Sequence, residues 1–227
     1  MGQIISAVIS NLKAPNEEAK RRNLEQLKLL QLLLKFQNDR FEEDFKKTIS
    51  GDGGGVKVVK DSPLRRYHES MVNISSTPSE GLDKILNNFL PAKGKEVEIV
   101  QGFKEIIKTG LSTFLGNSTI GEQSQDFTFV SLLHNAIVRI DIKLWMYAFA
   151  VKGVISECEN ALCFAFTLSV VNHKETSIDN IVFLINEGAD RAKVDPAELI
   201  KTIKETWISL KDQDPFDIHK EVDKVLK

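Results

Sequence analysis

The chain has 227 residues, of which 42% are hydrophobic and 27% charged, with 13 Gly and 6 Pro. That length suits one ordinary domain, and that composition excludes a disordered or collagen-like chain. A formal charge of -2 gives no ground for a nucleic-acid binder, a class marked by a basic excess, and the longest apolar run, residues 144–151, falls far short of the roughly 20 residues that span a bilayer as a helix.

The net charge hides an asymmetry. Residues 1–110 hold 18 basic and 15 acidic side chains and residues 111–227 hold 12 and 17, so the halves carry +3 and -5. Such polarity suits a basic side facing anionic lipid or head-to-tail contact between copies, and equally an ordinary solvated surface.

The amino terminus Met1-Gly2-Gln3-Ile4-Ile5-Ser6 fits the pattern for N-myristoylation at Gly2. Behind it Ile4, Ile5, Val8, Ile9 and Leu12 recur at helical spacing, followed by Lys13, Lys20, Arg21 and Arg22. A single acyl chain holds a membrane only marginally, so the apolar stripe or the basic residues would supply the second attachment. A first helix docked on its own domain explains the same stripe. From Glu17 to Lys47 there is neither Gly nor Pro; Leu27, Leu30, Leu34, Phe41 and Phe45 mark one face, and Leu24, Leu29, Leu32, Leu33 and Phe36 broaden it. A stripe this wide predicts either a central core helix or an oligomerisation or membrane face.

Glycines at 51 and 53–55 end that helix. They lack the following Gly-Lys-Ser/Thr of a phosphate loop. Residues 56–59 read as a short strand and 61–81 as a surface connection; 82–90 and 96–115 read as helices. The period then changes. Residues 127–133 are rich in strand formers, His134-Asn135 can turn, and Val138, Ile140, Ile142, Leu144 and Met146 alternate with Arg139, Asp141, Lys143, Trp145 and Tyr147. This predicts an antiparallel hairpin with one dry face, a pattern shared by soluble core hairpins and membrane-spanning strands.

Residues 154–171, apolar nearly all round, read as a buried helix, which makes Cys158 and Cys163 small core residues in a reducing compartment rather than a disulfide. Helices follow over 177–192, from Asp195-Pro196 through Leu210, and from Asp214-Pro215 to Val225, with Trp207 in the core. His68, His134, His173 and His219 show no metal-ligand spacing and no nucleophile motif appears, so neither cofactor nor metal is called for and the chain is not expected to be an enzyme.

These elements predict one α+β domain over residues 1–227: an antiparallel sheet built around a central hairpin and packed with long amphipathic helices. Its parts are an N-terminal helical region (1–50), a flexible connection (51–81), a helix-hairpin-helix core (82–174) and C-terminal helices (175–227).

At Leu115-Gly116-Asn117-Ser118-Thr119-Ile120-Gly121-Glu122, then Phe127-Thr128-Phe129-Val130 and Asn135-Ala136-Ile137-Val138-Arg139-Ile140-Asp141, the chain resembles the fungal gasdermin-like regulators of cell death, over residues 95–175 and without a short diagnostic motif. The resemblance implies a cytoplasmic protein that reaches the plasma membrane, binds acidic phospholipids, oligomerises with itself or an allelic or related partner, and turns amphipathic hairpins into a pore that kills the cell. Animal members carry an inhibitory C-terminal domain for which 227 residues leave no room, which favours control by partner pairing over proteolytic release. On this reading Gly2, Ile4, Ile5, Val8, Ile9, Leu12, Lys13, Lys20, Arg21 and Arg22 engage lipid, and the hairpin residues Val138, Ile140, Ile142, Leu144, Met146, Trp145 and Tyr147 insert. The competing expectation is a soluble or N-myristoylated interaction module with no pore activity.

Overall fold

Asn16 caps the first helix among the described residues. Its Oδ1 accepts from the Ala19 amide at 2.8 Å, and Glu17 and Glu18 follow in the first turn, where negative charge suits the helix dipole. Helix α1 then runs Glu17–Lys47, with Lys46 and Lys47 in its last turn, and widens into a single π-helical turn at Thr48–Asp52. The computed structural model describes residues 16–52, 55–72, 108, 113–114, 121–148, 160–192 and 195–226.

Among the described residues four strands follow: β1 Val58–Val72, β2 Gly121–Leu133, β3 Ala136–Ala148 and β4 Asn160–Val171. They form one antiparallel sheet in the order β1-β4-β3-β2. Three helices close the chain: α2 Ile178–Ala192, α3 Ala197–Leu210 and α4 Pro215–Leu226. The fold is α+β. Helix α1 lies on one face of the sheet, where Leu27, Leu30, Leu34, Phe41, Phe45 and Ile49 pack with Trp145, Ala161, Cys163 and Ala165. Helices α2 to α4 cover the other face, where Ile181, Ile185, Ile203, Leu210, Ile218 and Val222 meet the aliphatic side chains of β3 and the large ones of β4.

Several expectations are corrected. Residues 160–171 are a strand, not a helix. β4 lies between β1 and β3 with helices on both faces, so every position from 161 to 171 is buried, and an all-round apolar run looks the same as a buried helix. The connection predicted over 61–81 is strand as far as Val72. Pro63 sits where the β1–β4 register shifts, a place an edge strand tolerates, and this irregularity hid the strand. The polar stretch before Phe127 likewise belongs to β2 from Gly121 on, with exposed side chains at Glu122, Ser124, Gln125 and Asp126 because β2 is the other edge. The hairpin is not dry on one face only: Trp145 is buried against α1, and Arg139 and Asp141 on the same face are buried too. The helices expected over 82–90 and 96–115 lie outside the described residues except for helical backbone at Lys108, Thr113 and Phe114.

The C-terminal caps follow the sequence. Ser177 Oγ accepts from Asn180 N at 3.2 Å, and Asp214 Oδ1 from Phe216 N at 2.9 Å with Pro215 in the first helical position. Asp195 Oδ1 accepts from Ala197 N at 2.9 Å, while helix α3 begins one residue later than the Asp-Pro pair suggests. Trp207 packs partly buried against the core, its ring edge-on to His173 at 6.0 Å. Burial, the largest influence on His173, pulls its pKa below the usual histidine value.

The approach of α1 depends on small side chains. Ala161, Cys163 and Ala165 alternate on β4, and Cys163 Sγ lies 3.7 Å from the Leu34 carbonyl oxygen and 3.4 Å from Ser70 Oγ. Burial pushes the Cys163 thiol up to about 11, against a smaller opposing influence from Ser70. Because the folded value exceeds the ordinary 9.0, the stabilising contribution is complete below pH 9 and drains away as pH rises towards 11. Urea unfolding across that window should therefore show a steeper loss of stability for the wild type than for Cys163→Ala. Equal slopes would refute the buried-thiol account.

Candidate functional site

Strands β2 and β3 pair residue for residue from Gly121 opposite Ala148 to Leu133 opposite Ala136. Each has 13 residues, about 44 Å at the usual strand rise. They join through His134 and Asn135, whose φ values of 48° and 59° place both in the left-handed region that a two-residue hairpin turn requires. The register sorts the side chains into two unlike faces. On one, Val138, Ile140, Ile142, Leu144 and Met146 lie alongside Phe127 and Phe129, with Ser131, Gln125 and Gln123 at the ends of the β2 row. The apolar side chains of this face are buried beneath helices α2 to α4, and Phe129 packs so closely on α2 that a Cβ at Gly188 would lie 3.2 Å from its Cδ1.

The second face carries charge. Asp141 Oδ1 accepts from Arg139 Nε at 2.9 Å, from Arg139 Nη2 at 2.7 Å and from Thr128 Oγ1 at 2.9 Å. Arg139 Nη1 also donates to the Val56 carbonyl at 2.6 Å, which ties the strand to the segment entering β1. Arg139 and Asp141 are only 7% and 6% exposed. One step along, Lys143 bridges Asp126 on β2 at 2.5 Å and Asp44 on α1 at 3.2 Å, 6.0 Å from the centre of the Phe45 ring. Trp145 Nε1 donates to Glu122 Oε1 at 2.6 Å, and Tyr147 stacks on Trp145. A row of charged and amphipathic side chains thus runs along the hairpin under and beside the first helix.

The chain stands without a match: no family model, no curated protein and no solved structure is similar to it. Function must therefore be argued from these side chains alone.

The predicted site residues separate into three places. Gly2, Ile4, Ile5, Val8, Ile9, Leu12 and Lys13 lie outside the described residues. Lys20, Arg21 and Arg22 lie in the first turns of α1, Arg22 bonded to Glu18 at 2.5 Å and Lys20 3.7 Å from Glu17. The seven hairpin residues are brought together on β3, five towards α2 to α4 and Trp145 and Tyr147 towards α1. The spacing of Arg139 and Asp141, two apart on a strand, shows that they share a face. What the sequence did not reveal is that a helix covers that face and that Thr128 and the Val56 carbonyl complete the pair. The breadth of the α1 stripe did signal a further feature: Leu29, Leu32, Leu33 and Phe36 stand exposed on the side of the helix turned away from the sheet.

Among the described residues no helix is long and apolar enough to cross a membrane, and no cluster of His, Cys, Asp and Glu has the makings of a metal site. A shallow cleft between β2 and α2, lined by Asp126, Thr128, Phe129, Leu184, Glu187 and Gly188, encloses about 190 Å³.

Removing one partner of a buried ion pair strands the other charge in a poor solvent, whereas replacing both by apolar groups of similar size is near neutral. Asp141→Ala should therefore lower the unfolding free energy by about 3–5 kcal/mol in urea titration, while Arg139→Met with Asp141→Leu should recover most of that loss. A double variant as unstable as the single one would show that the pair holds up the fold.

Proposed function

We propose that this protein binds membranes containing acidic phospholipids and permeabilises them, the β2–β3 hairpin leaving its own core and entering the bilayer in an oligomer whose pores kill the cell. The supporting observation is the division of β3 into an aliphatic face, continued on β2 by Phe127 and Phe129, and a charged face, in strands of 13 residues when roughly 9–11 tilted residues span the hydrocarbon layer. Moving Val138, Ile140, Ile142, Leu144 and Met146 from beneath α2 to α4 into acyl chains exchanges one apolar surrounding for another. The same movement returns Arg139, Asp141 and Lys143 to water, which relieves the desolvation they bear in the fold. A spanning sheet must have no open edge, since an unpaired backbone amide in hydrocarbon costs several kcal/mol, so insertion entails pairing with further copies or a related partner. Lys20, Arg21 and Arg22 at the start of α1, continuing the basic run from Lys13, would meet the anionic headgroups. The protein acts from the cytoplasmic side in this scheme and needs no catalytic group or cofactor.

A second reading, an interaction module without pore activity, draws on the exposed apolar side chains of α1. Dye release from vesicles of neutral and acidic phospholipid separates the two. Permeabilisation should rise with acidic lipid content. A short, reductant-cleavable thiol cross-linker between Phe129→Cys and Gly188→Cys, positions that face each other across the β2–α2 contact, should staple α2 to the hairpin and abolish leakage until a reductant is added. Wild-type protein that neither sediments with acidic vesicles nor releases dye, alone or with a related partner, would overturn the proposal. So would a stapled variant as active as the wild type.

A further inference from the structure

The outer surface of α1 is apolar in its middle only. Leu29, Leu32, Leu33 and Phe36 are 66%, 63%, 37% and 64% exposed and fall within about 100° of arc at 3.6 residues per turn. Continuing the same line towards the N-terminus leads to Glu25, Arg22 and Glu18; towards the C-terminus it leads to Arg40, Glu43 and Lys47. All six are exposed. The order of charges along this line is acidic, basic, acidic before the apolar patch and basic, acidic, basic after it.

That order is its own complement when reversed. Two identical helices laid antiparallel about a two-fold axis bring together residues whose numbers have a constant sum. With the axis between 32 and 33, Leu32 meets Leu33 of the other copy and Leu29 meets Phe36. In the same register Glu25 meets Arg40, Arg22 meets Glu43, and Glu18 meets Lys47, each contact occurring twice. We infer that the outer face of α1 is a homodimer interface in which two copies of this chain pair antiparallel through Leu29, Leu32, Leu33 and Phe36, with the flanking charges setting the register.

Three physical features support the assignment. A two-fold interface must be complementary to itself, and every flanking charge on this line meets an opposite one in a single register. Residues 18 to 47 cover about 44 Å of helix axis, a length over which a helix pair approaches the roughly 800 Å² per partner of a stable interface. Antiparallel helices also oppose their dipoles. A bilayer would favour cations around the patch, whereas Glu18, Glu25 and Glu43 stand on the line and would face anionic headgroups. The dimer does not depend on the pore proposal, because it forms in lipid-free solution.

Sedimentation velocity of the full chain, without lipid, tests the inference. The expected species has twice the 25.5 kDa of one chain. Leu32→Asp, at an exposed position, should keep the wild-type circular dichroism spectrum and give monomer. Arg40→Glu, which sets like charges against Glu25 in both copies, should weaken pairing about tenfold, and adding Glu25→Arg should restore it. A wild-type monomer across the accessible concentration range would overturn the inference, as would a dimer indifferent to Leu32→Asp. Failure of Glu25→Arg to rescue Arg40→Glu would overturn the register. If the chain dimerises only after removal of residues 1–15, the patch belongs to the chain's own N-terminal segment and the inference falls. If the monomer binds vesicles and Leu32→Asp abolishes that binding, the occupant is lipid and the inference falls equally.

Discussion

A strand buried on both faces must satisfy two neighbours at once, and β4 does so by giving them unlike surfaces. Leu162, Phe164, Phe166, Leu168 and Val170 fill the space beneath the C-terminal helices, while Ala161, Cys163 and Ala165 leave room for a helix backbone to come within reach of a sulfur atom. The alternation of bulk is what allows one four-stranded sheet to carry a single long helix on one side and three shorter ones on the other. A larger side chain at 163 would push α1 outward along its length, because interiors have little spare volume. Asn38 of that helix and Ser70 of β1, bonded at 2.7 Å, fix its position laterally.

The two interfaces differ in chemistry as well as in shape. Beneath α2 to α4 the sheet offers hydrocarbon and aromatic rings, and the contact is non-directional. On its opposite face it offers Arg139, Asp141 and Lys143, whose partners come from β2, from α1 and from the segment before β1. Such a layer is specific but gains little net free energy over a hydrophobic one. Helix α1 is thus held by a mixed surface, with Leu27, Leu30 and Leu34 at one end and Phe45 and Ile49 close to charge at the other.

The sequence made some of this legible and hid the rest for identifiable reasons. Helix α1, the β2–β3 hairpin and the C-terminal helices stood out because each has a clean period and local end signals, such as Asn16, the His134-Asn135 pair and the Asp-Pro dipeptides. The α+β class followed from them. β4 was misread because double-sided burial erases the two-residue period, and β1 because Pro63 and its polar neighbours imitate a loop. For the candidate site, the two faces of β3 could be read directly, whereas the covering of its charged face is a tertiary fact. No spacing within 139–143 announces Asp44 or the carbonyl of Val56.

The turn at His134 and Asn135 has a bearing on how the chain reaches this arrangement. Two residues leave no slack between β2 and β3, and a slip of one position would send Arg139 and Asp141 in among the leucines and phenylalanines while turning Ile140 and Ile142 to the charged side. A mispaired ribbon is therefore penalised by several desolvated ions as soon as the helices dock. The ladder can zip outward from its tip with contacts close in sequence, which is the rapid route for a β structure. Proofreading of alignment is thereby written into the same charged row that later lies out of sight.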